Sequence, residues 1–262
     1  MASAAARFVT GGIILSVLLA VGGCFGASVK DQKEAQAHFK LGMSSLNRGE
    51  LQPAKVEFEK SVEQNPKDRD AHYALGHIYY LWGKLDDAER EFQKVLAIDT
   101  QFPAARNYLG KVYEQRRDWP KAASEYRKAL QDPKYETPQY AHFNLGIVLK
   151  NQDRLDEALL EFQDALRIDP NFGVAGVAAS YSVFNELGQL YARLQRIPEA
   201  VDAYQKSLSL APDYADAHYN LGLVYFKDGA RGKAKEEFEK VIRLAPSAEL
   251  AKNSRQYLDQ LK

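Results

Sequence analysis

The dipeptide Leu-Gly returns along this chain at Leu41-Gly42, Leu75-Gly76, Leu109-Gly110, Leu145-Gly146, Leu187-Gly188 and Leu221-Gly222, the glycines standing 34, 34, 36, 42 and 34 residues apart. Twelve residues after each glycine comes an alanine (Ala54, Ala88, Ala122, Ala158, Ala200, Ala234), and four further on an aromatic (Phe58, Phe92, Tyr126, Phe162, Tyr204, Phe238). Proline follows the aromatic by eight residues at Pro66, Pro170, Pro212 and Pro246; Pro133 comes one place early, and Thr100 takes its place once. A fixed period of this length excludes a single globule wrapped around one centre and predicts a stack of small units.

Each unit reads as two helices joined by a tight turn. Helix axes approach to roughly 8 to 10 Å only where side chains are small, so the glycine on the first helix and the alanine on the second mark the closest approach, with the aromatic filling what remains. Gly49, Gly83 and Gly229 at the inter-helix turn suit a left-handed cap, and the proline stops the second helix. The pattern resembles the tetratricopeptide repeat, six times over. That resemblance implies an all-α, right-handed superhelical solenoid with repeats at 35–68, 69–102, 103–138, 139–180, 181–214 and 215–248. Residues 249–262, with Leu250, Tyr257, Leu258 and Leu261, read as a capping helix over the last repeat.

Charge and cysteine content narrow the function. The 35 basic residues are matched by 35 acidic ones, and no long Lys/Arg run offers a phosphate-binding surface, so nucleic acid is not expected as a partner. Histidines His38, His72, His142 and His218 each occupy position 4 of a different repeat, where a large aromatic often packs; ligands so dispersed cannot meet at one metal ion. Glu57, Glu59, Glu236, Glu237 and Glu239 alternate with lysines and read as a solvated helical face. With no glycine-rich phosphate loop, nucleophile elbow or zinc-hydrolase signature, the expectation is a protein that is not an enzyme and takes no cofactor, metal or small-molecule substrate.

The N-terminus points to a membrane. Between Arg7 and Lys30 no residue is charged, and an apolar stretch from Ile13 to Val21 runs into Gly22-Gly23-Cys24. These residues look like a bacterial lipoprotein signal peptide over 1–23, with Cys24, the only cysteine, as the lipidated first residue and 24–34 as a linker. An uncleaved transmembrane anchor over the same residues is the alternative. Phe25 in the second mature position, where aspartate retains lipoproteins in the inner membrane of well-studied bacteria, implies the periplasmic face of the outer membrane.

In this repeat the first helix lines the concave side, with positions 2, 5, 9, 12 and 13 pointing inward. The face so defined carries Phe39, Met43, Tyr73, His77, Tyr80, Lys111, Tyr140, Phe143, Ile147, Tyr219, Leu223 and Phe226, interrupted by polar Asn107, Glu114, Asn185, Gln189 and Arg193. Aromatic-rich surfaces favour protein contacts, and a groove for an extended or helical peptide is expected there, against the alternative of packing between neighbouring first helices. Phe39 and Met43 stand where chaperone-binding members of the family carry the lysine and asparagine of a carboxylate clamp, so that clamp is absent.

Two insertions break the period, two residues within 131–138 and eight at 173–180. The first, Asp132-Pro133-Lys134-Tyr135-Glu136-Thr137-Pro138, followed by Ala141 and Asn144-Leu145-Gly146, resembles the corresponding connection in the type IV pilus pilotin lipoproteins (the PilF/PilW family). That resemblance implies an outer-membrane scaffold assisting assembly of the pilus secretin. The competing expectation is a general periplasmic scaffold or adaptor lipoprotein serving a peptidase or an outer-membrane assembly component.

Overall fold

Every Leu-Gly glycine lies against the aromatic ring sixteen residues on. A Cβ built on Gly110 would stand 2.5 Å from Cε1 of Tyr126, and one on Gly76 would stand 2.7 Å from the same atom of Phe92; the other four glycines repeat the contact. The ring itself therefore touches the glycine. The alanine of each repeat is wholly buried beside it, as are five of the six aromatics, Tyr204 being 2% exposed. This contact joins the two helices of each repeat.

The computed structural model describes residues 28–170 and 180–262. The repeats supply helix pairs α1 (Val29–Asn47) and α2 (Leu51–Gln64), α3 (Arg69–Leu81) and α4 (Leu85–Ile98), α5 (Pro103–Gln115) and α6 (Trp119–Leu130). They continue with α7 (Pro138–Asn151) and α8 (Leu155–Ile168), α9 (Ser180–Arg193) and α10 (Ile197–Leu210), α11 (Ala215–Lys227) and α12 (Arg231–Leu244), before α13 (Glu249–Gln260). The expected signal peptide, Cys24 and most of the eight-residue insertion lie outside the described residues. Among the described residues no helix is long and apolar enough to cross a membrane.

Stacking follows from the same pattern. Each second helix packs on the next first helix, and α3 also touches α5, α5 touches α7, and α9 and α13 touch α11, while no comparable contact joins successive second helices among the described residues. The first helices are therefore the tighter, inner layer of an all-α superhelix. One apolar core runs without a break from Ala88 to Ala203, flanked by smaller clusters at either end.

Several details depart from the sequence reading. α1 begins at Val29, not at residue 35, because Ser28 and Asp31 form a reciprocal capping box; residues 29–34, expected as linker, are helical. The left-handed turn residue is glycine in three repeats (φ 69 to 78°), but Arg117, Asp153 and Gln195 occupy the same position with φ of 58 to 62°.

The position-4 histidines are polar partners rather than aromatic fillers. His72 Nδ1 lies 2.6 Å from Glu91 Oε2 and its Nε2 lies 3.1 Å from the Pro66 carbonyl; His218 repeats the pattern with Glu237 (2.5 Å) and Pro212 (2.8 Å). Each of these two rings thus bridges a carboxylate of the second helix and a carbonyl of the preceding connection. His38 pairs with Glu57 and His142 with Glu161, each at 2.7 Å, and Arg106 takes the same role toward Glu125 at 3.2 Å. Glu57 and Glu237, expected on a solvated face, thus turn inward to join their repeat's two helices; Glu237 is 7% exposed.

Candidate functional site

The inner layer carries a pocket of about 380 Å³ where α3, α5 and α7 meet. Tyr73 comes from α3, Asn107, Tyr108 and Lys111 from α5, Tyr135 and Thr137 from the two-residue insertion, and Tyr140, Phe143 and Asn144 from α7. Four residues picked out by the sequence, Tyr73, Lys111, Tyr140 and Phe143, are thereby brought together.

Tyr108 organises one wall. The rings of Tyr73, His77 and Tyr80 meet it edge-on at centroid distances of 5.8, 5.1 and 5.8 Å, and Phe92 stacks beneath it at 5.5 Å. His77 and Tyr80 are therefore packing residues on a neighbouring first helix and do not line the pocket themselves. Tyr73 also rests on Phe92 and Phe102, so replacing it disturbs the core.

Lys111 lies between two of these rings, its Nζ 5.2 Å from the centroid of Tyr80 and 5.1 Å from that of Tyr108, cation–π distances. Burial pushes its ammonium below the ordinary value, opposed by Glu114. Burial also lowers His77, with Lys111 adding to the effect, and raises Glu114, whose carboxylate accepts the Tyr126 hydroxyl at 2.7 Å. Across the pocket the Asn144 amide donates to Asn107 Oδ1 at 3.1 Å. The insertion folds Tyr135 inward against Ala129 and Ala141, and burial raises its hydroxyl to about 12.

The remaining predicted residues sit elsewhere. Phe39 and Met43 belong to a separate apolar cluster around Phe58, with Phe39 5.6 Å from that ring. Ile147 packs at the margin of the main core. Tyr219, Leu223 and Phe226 adjoin the core under α13, where Tyr257 stacks on Phe238 at 5.2 Å and meets Phe226 at 5.1 Å, as Tyr108 does with Phe92 and its neighbours. The expected inner surface is therefore divided into three patches.

Sequence reasoning left Tyr108, Tyr135 and Asn144 out of the binding surface, although Tyr135 and Asn144 belong to the stretch that resembles the pilotin connection. Tyr108 and Asn144 stand at position 6, outside the inward-pointing set; Tyr135 lies in the insertion, where the template assigns no direction. Among the described residues no group of three or more His, Cys, Asp or Glu side chains is gathered as for a metal ion.

Sequence profiles of the tetratricopeptide repeat match residues 45–112, 139–172 and 215–248, and a further profile of the same repeat matches 187–229. Human protein O-mannosyl-transferase TMTC2 is 31% identical over 105 residues, 40% of this chain but 12% of that protein; the chain thus spans about an eighth of that curated relative. The fold is similar to that of pilF from Pseudomonas aeruginosa (TM-score 0.74, 23% identity, 89% of this chain and 100% of that one). It is also similar to PilW, a type IV pilus biogenesis factor (0.73, 21%, 84% and 97%), and to YrrB, a repeat protein with an unusual peptide-binding site (0.61, 25%, 76% and 97%).

Proposed function

We infer from a chain that is a tetratricopeptide-repeat protein, with a fold resembling those of PilF and PilW, that it serves as a non-enzymatic scaffold holding a segment of another protein against its first helices. The observation that carries this reading is the pocket between α3, α5 and α7, where aromatic faces, a cation and an amide pair converge on one concavity. Such a mixture of apolar walls and a few polar groups suits a polypeptide ligand. The peptide-binding site named for YrrB supports the same class of partner.

The proposed location is the periplasmic face of the outer membrane, through lipidation of Cys24, and the proposed client is an envelope assembly of the type IV pilus kind, its secretin first. The resemblance of residues 132–138 to the pilotin connection and the likeness of fold to PilF and PilW support that choice.

A photo-crosslinking amino acid at Tyr140, with one at Leu160 as an exposed control on α8, tests the groove. Capture of a discrete protein at 140 but not at 160 is expected; equal capture at both positions removes the groove. Cys24→Ser followed by membrane fractionation tests the anchor, and normal secretin multimers in a deletion strain would redirect the client to another envelope complex.

A further inference from the structure

The first repeat presents a face that every later repeat covers with the second helix of the repeat before it. At position 7, Leu75, Leu109, Leu145, Leu187 and Leu221 are 1 to 5% exposed, whereas Leu41 is 56% exposed. Ala37, at position 3, is likewise exposed where Ala71, Ala105, Ala141 and Ala217 are wholly buried. Beside Leu41 a groove of about 490 Å³ opens between α1 and α2, bounded by Ser44, Arg48, Pro53 and Val56. Pro53 and Val56 stand at positions 19 and 22, where later repeats carry pairs such as Asp87 and Arg90 or Glu199 and Asp202, with Leu160 the one apolar exception.

Its chemistry narrows what can cover it. Ser44 stands at position 10, where Ile78, Val112, Val148, Leu190 and Val224 make the dry contact in later repeats; a hydroxyl there suits a boundary that holds water better than a packed helix. Lys30, Lys33, Lys40 and Arg48 fall at helical spacing on the same exposed stripe of α1 as Ala37 and Leu41. Against them stand Glu34, 3.7 Å from Lys30, and Glu50, 2.7 Å from Arg48, while Glu57 is taken up by His38 and Lys60. Pairing α1 with a second copy about a two-fold axis, parallel or antiparallel, sets cation against cation at Lys30, which disfavours it. Aliphatic side chains edged by cations suit an anionic lipid surface. The anchor brings such a surface within reach, since Cys24 lies four residues before the cap Ser28 and that stretch spans at most about 14 Å.

We propose that the open face of the first repeat, centred on Leu41 and Val56 and edged by Lys30, Lys33 and Lys40, rests on an anionic phospholipid surface, so that the solenoid stands on its first repeat rather than swinging on its tether. The proposal rests on the lipid-anchor reading above and adds an orientation to it. Few aliphatic groups take part, so the contact is weak alone; the tether makes it intramolecular, where weak attraction suffices. The pocket, built from repeats 2 to 4, is left to its partner.

The full chain, purified from membranes, is reconstituted into vesicles of phosphatidylethanolamine and phosphatidylglycerol with a nitroxide on Leu41→Cys, on Val56→Cys or, as control, on Leu160→Cys, a 60% exposed position of α8. Thermal unfolding establishes that each is folded, and either of the first two serves if the other is not. Labels at 41 and 56 should be severalfold more accessible to oxygen, relative to a water-soluble nickel chelate, than the label at 160. Lys33→Gln with Lys40→Gln should lower the docked-to-free ratio about fivefold per charge, and vesicles of phosphatidylcholine should release the face likewise. Labels at 41 and 56 as open to the chelate as that at 160, on a chain whose mass includes acyl groups at Cys24, overturn the docking and leave the anchor standing. Shielding that survives both charge removal and neutral lipid also overturns it, and spin–spin broadening then identifies a second copy as the occupant. A chain that lacks the acyl groups and stays in solution removes the anchor and the docking together.

Discussion

Replacing Gly110 by alanine sets two effects of opposite sign against each other. In a helix interior the change gains about 1 kcal/mol of intrinsic propensity. Against it, the new Cβ would lie 2.5, 2.7 and 2.9 Å from Cε1, Cδ1 and Cζ of Tyr126. Ordinary carbon contacts are about 3.5 to 4.0 Å, so the ring must retreat by about 1 Å. Tyr126 is wholly buried and its hydroxyl donates to Glu114 at 2.7 Å, so retreat strains both packing and that bond. Overpacking costs about 1 to 3 kcal/mol, and weakening a hydrogen bond to a carboxylate costs about 1 kcal/mol more. The net expectation is a loss of about 1 to 3 kcal/mol, or a melting temperature lower by several degrees.

Calorimetric unfolding of Gly110→Ala, of Tyr126→Leu and of the double variant provides the assay. The double variant should recover about 1 to 2 kcal/mol relative to the sum of the singles, since removing the ring removes the clash. Gly232→Ala is the control: a Cβ there meets nothing within 4 Å, and propensity alone should leave it as stable as the natural chain or slightly more so. If Gly110→Ala melts at or above the natural temperature, the glycine is not required by the ring and the packing account of the repeat is wrong.

Three further outcomes are expected. Ala88→Phe, at a wholly buried position, should destabilise by about 1 to 3 kcal/mol, measured by urea unfolding. Gln195→Gly relieves a left-handed backbone at φ 62° and should raise stability by about 0.5 to 1 kcal/mol in the same assay. Burial raises the Glu91 and Glu237 carboxyls, but hydrogen bonds from His72 and Lys94, and from His218 and Lys240, outweigh it and hold both below the ordinary 4.5. Their stabilisation is therefore complete above that value and lost as pH falls through the lower folded-state values; Glu91→Gln with Glu237→Gln should flatten that acid limb of a stability-against-pH curve.

Period, helix pairing and the glycine–ring contact were all legible in the sequence, because each depends on spacing along one chain. The His–Glu pairs were not: they join position 4 to position 23 across a turn, and only the packed repeat shows that these positions face each other. Repeat 5 carries Phe184 and Ala203 at those places, so the polar pair is exchanged as a unit for an apolar one. The early start of α1 was legible in Ser28 and Asp31, at capping-box spacing. Arg117, Asp153 and Gln195 gave no glycine signal, although each adopts the same left-handed turn as Gly49, Gly83 and Gly229.

The pocket lies where the period fails. In an unbroken array the connection between one second helix and the next first helix is short; here two extra residues allow Tyr135 to turn inward and close the pocket at 9% exposure. Tyr135→Ala removes that wall and the packing on Ala129 and Ala141, costing about 2 to 4 kcal/mol, whereas Tyr135→Phe preserves the shape and loses only the hydroxyl. If the insertion exists to shape the pocket, Tyr135→Phe with the crosslinker at position 140 should capture the partner nearly as the natural chain does. In Tyr135→Ala, folded at low temperature, binding of that partner should be at least about tenfold weaker. Equal binding by both variants would make the insertion a spacer, and the site would then belong to the regular repeats alone.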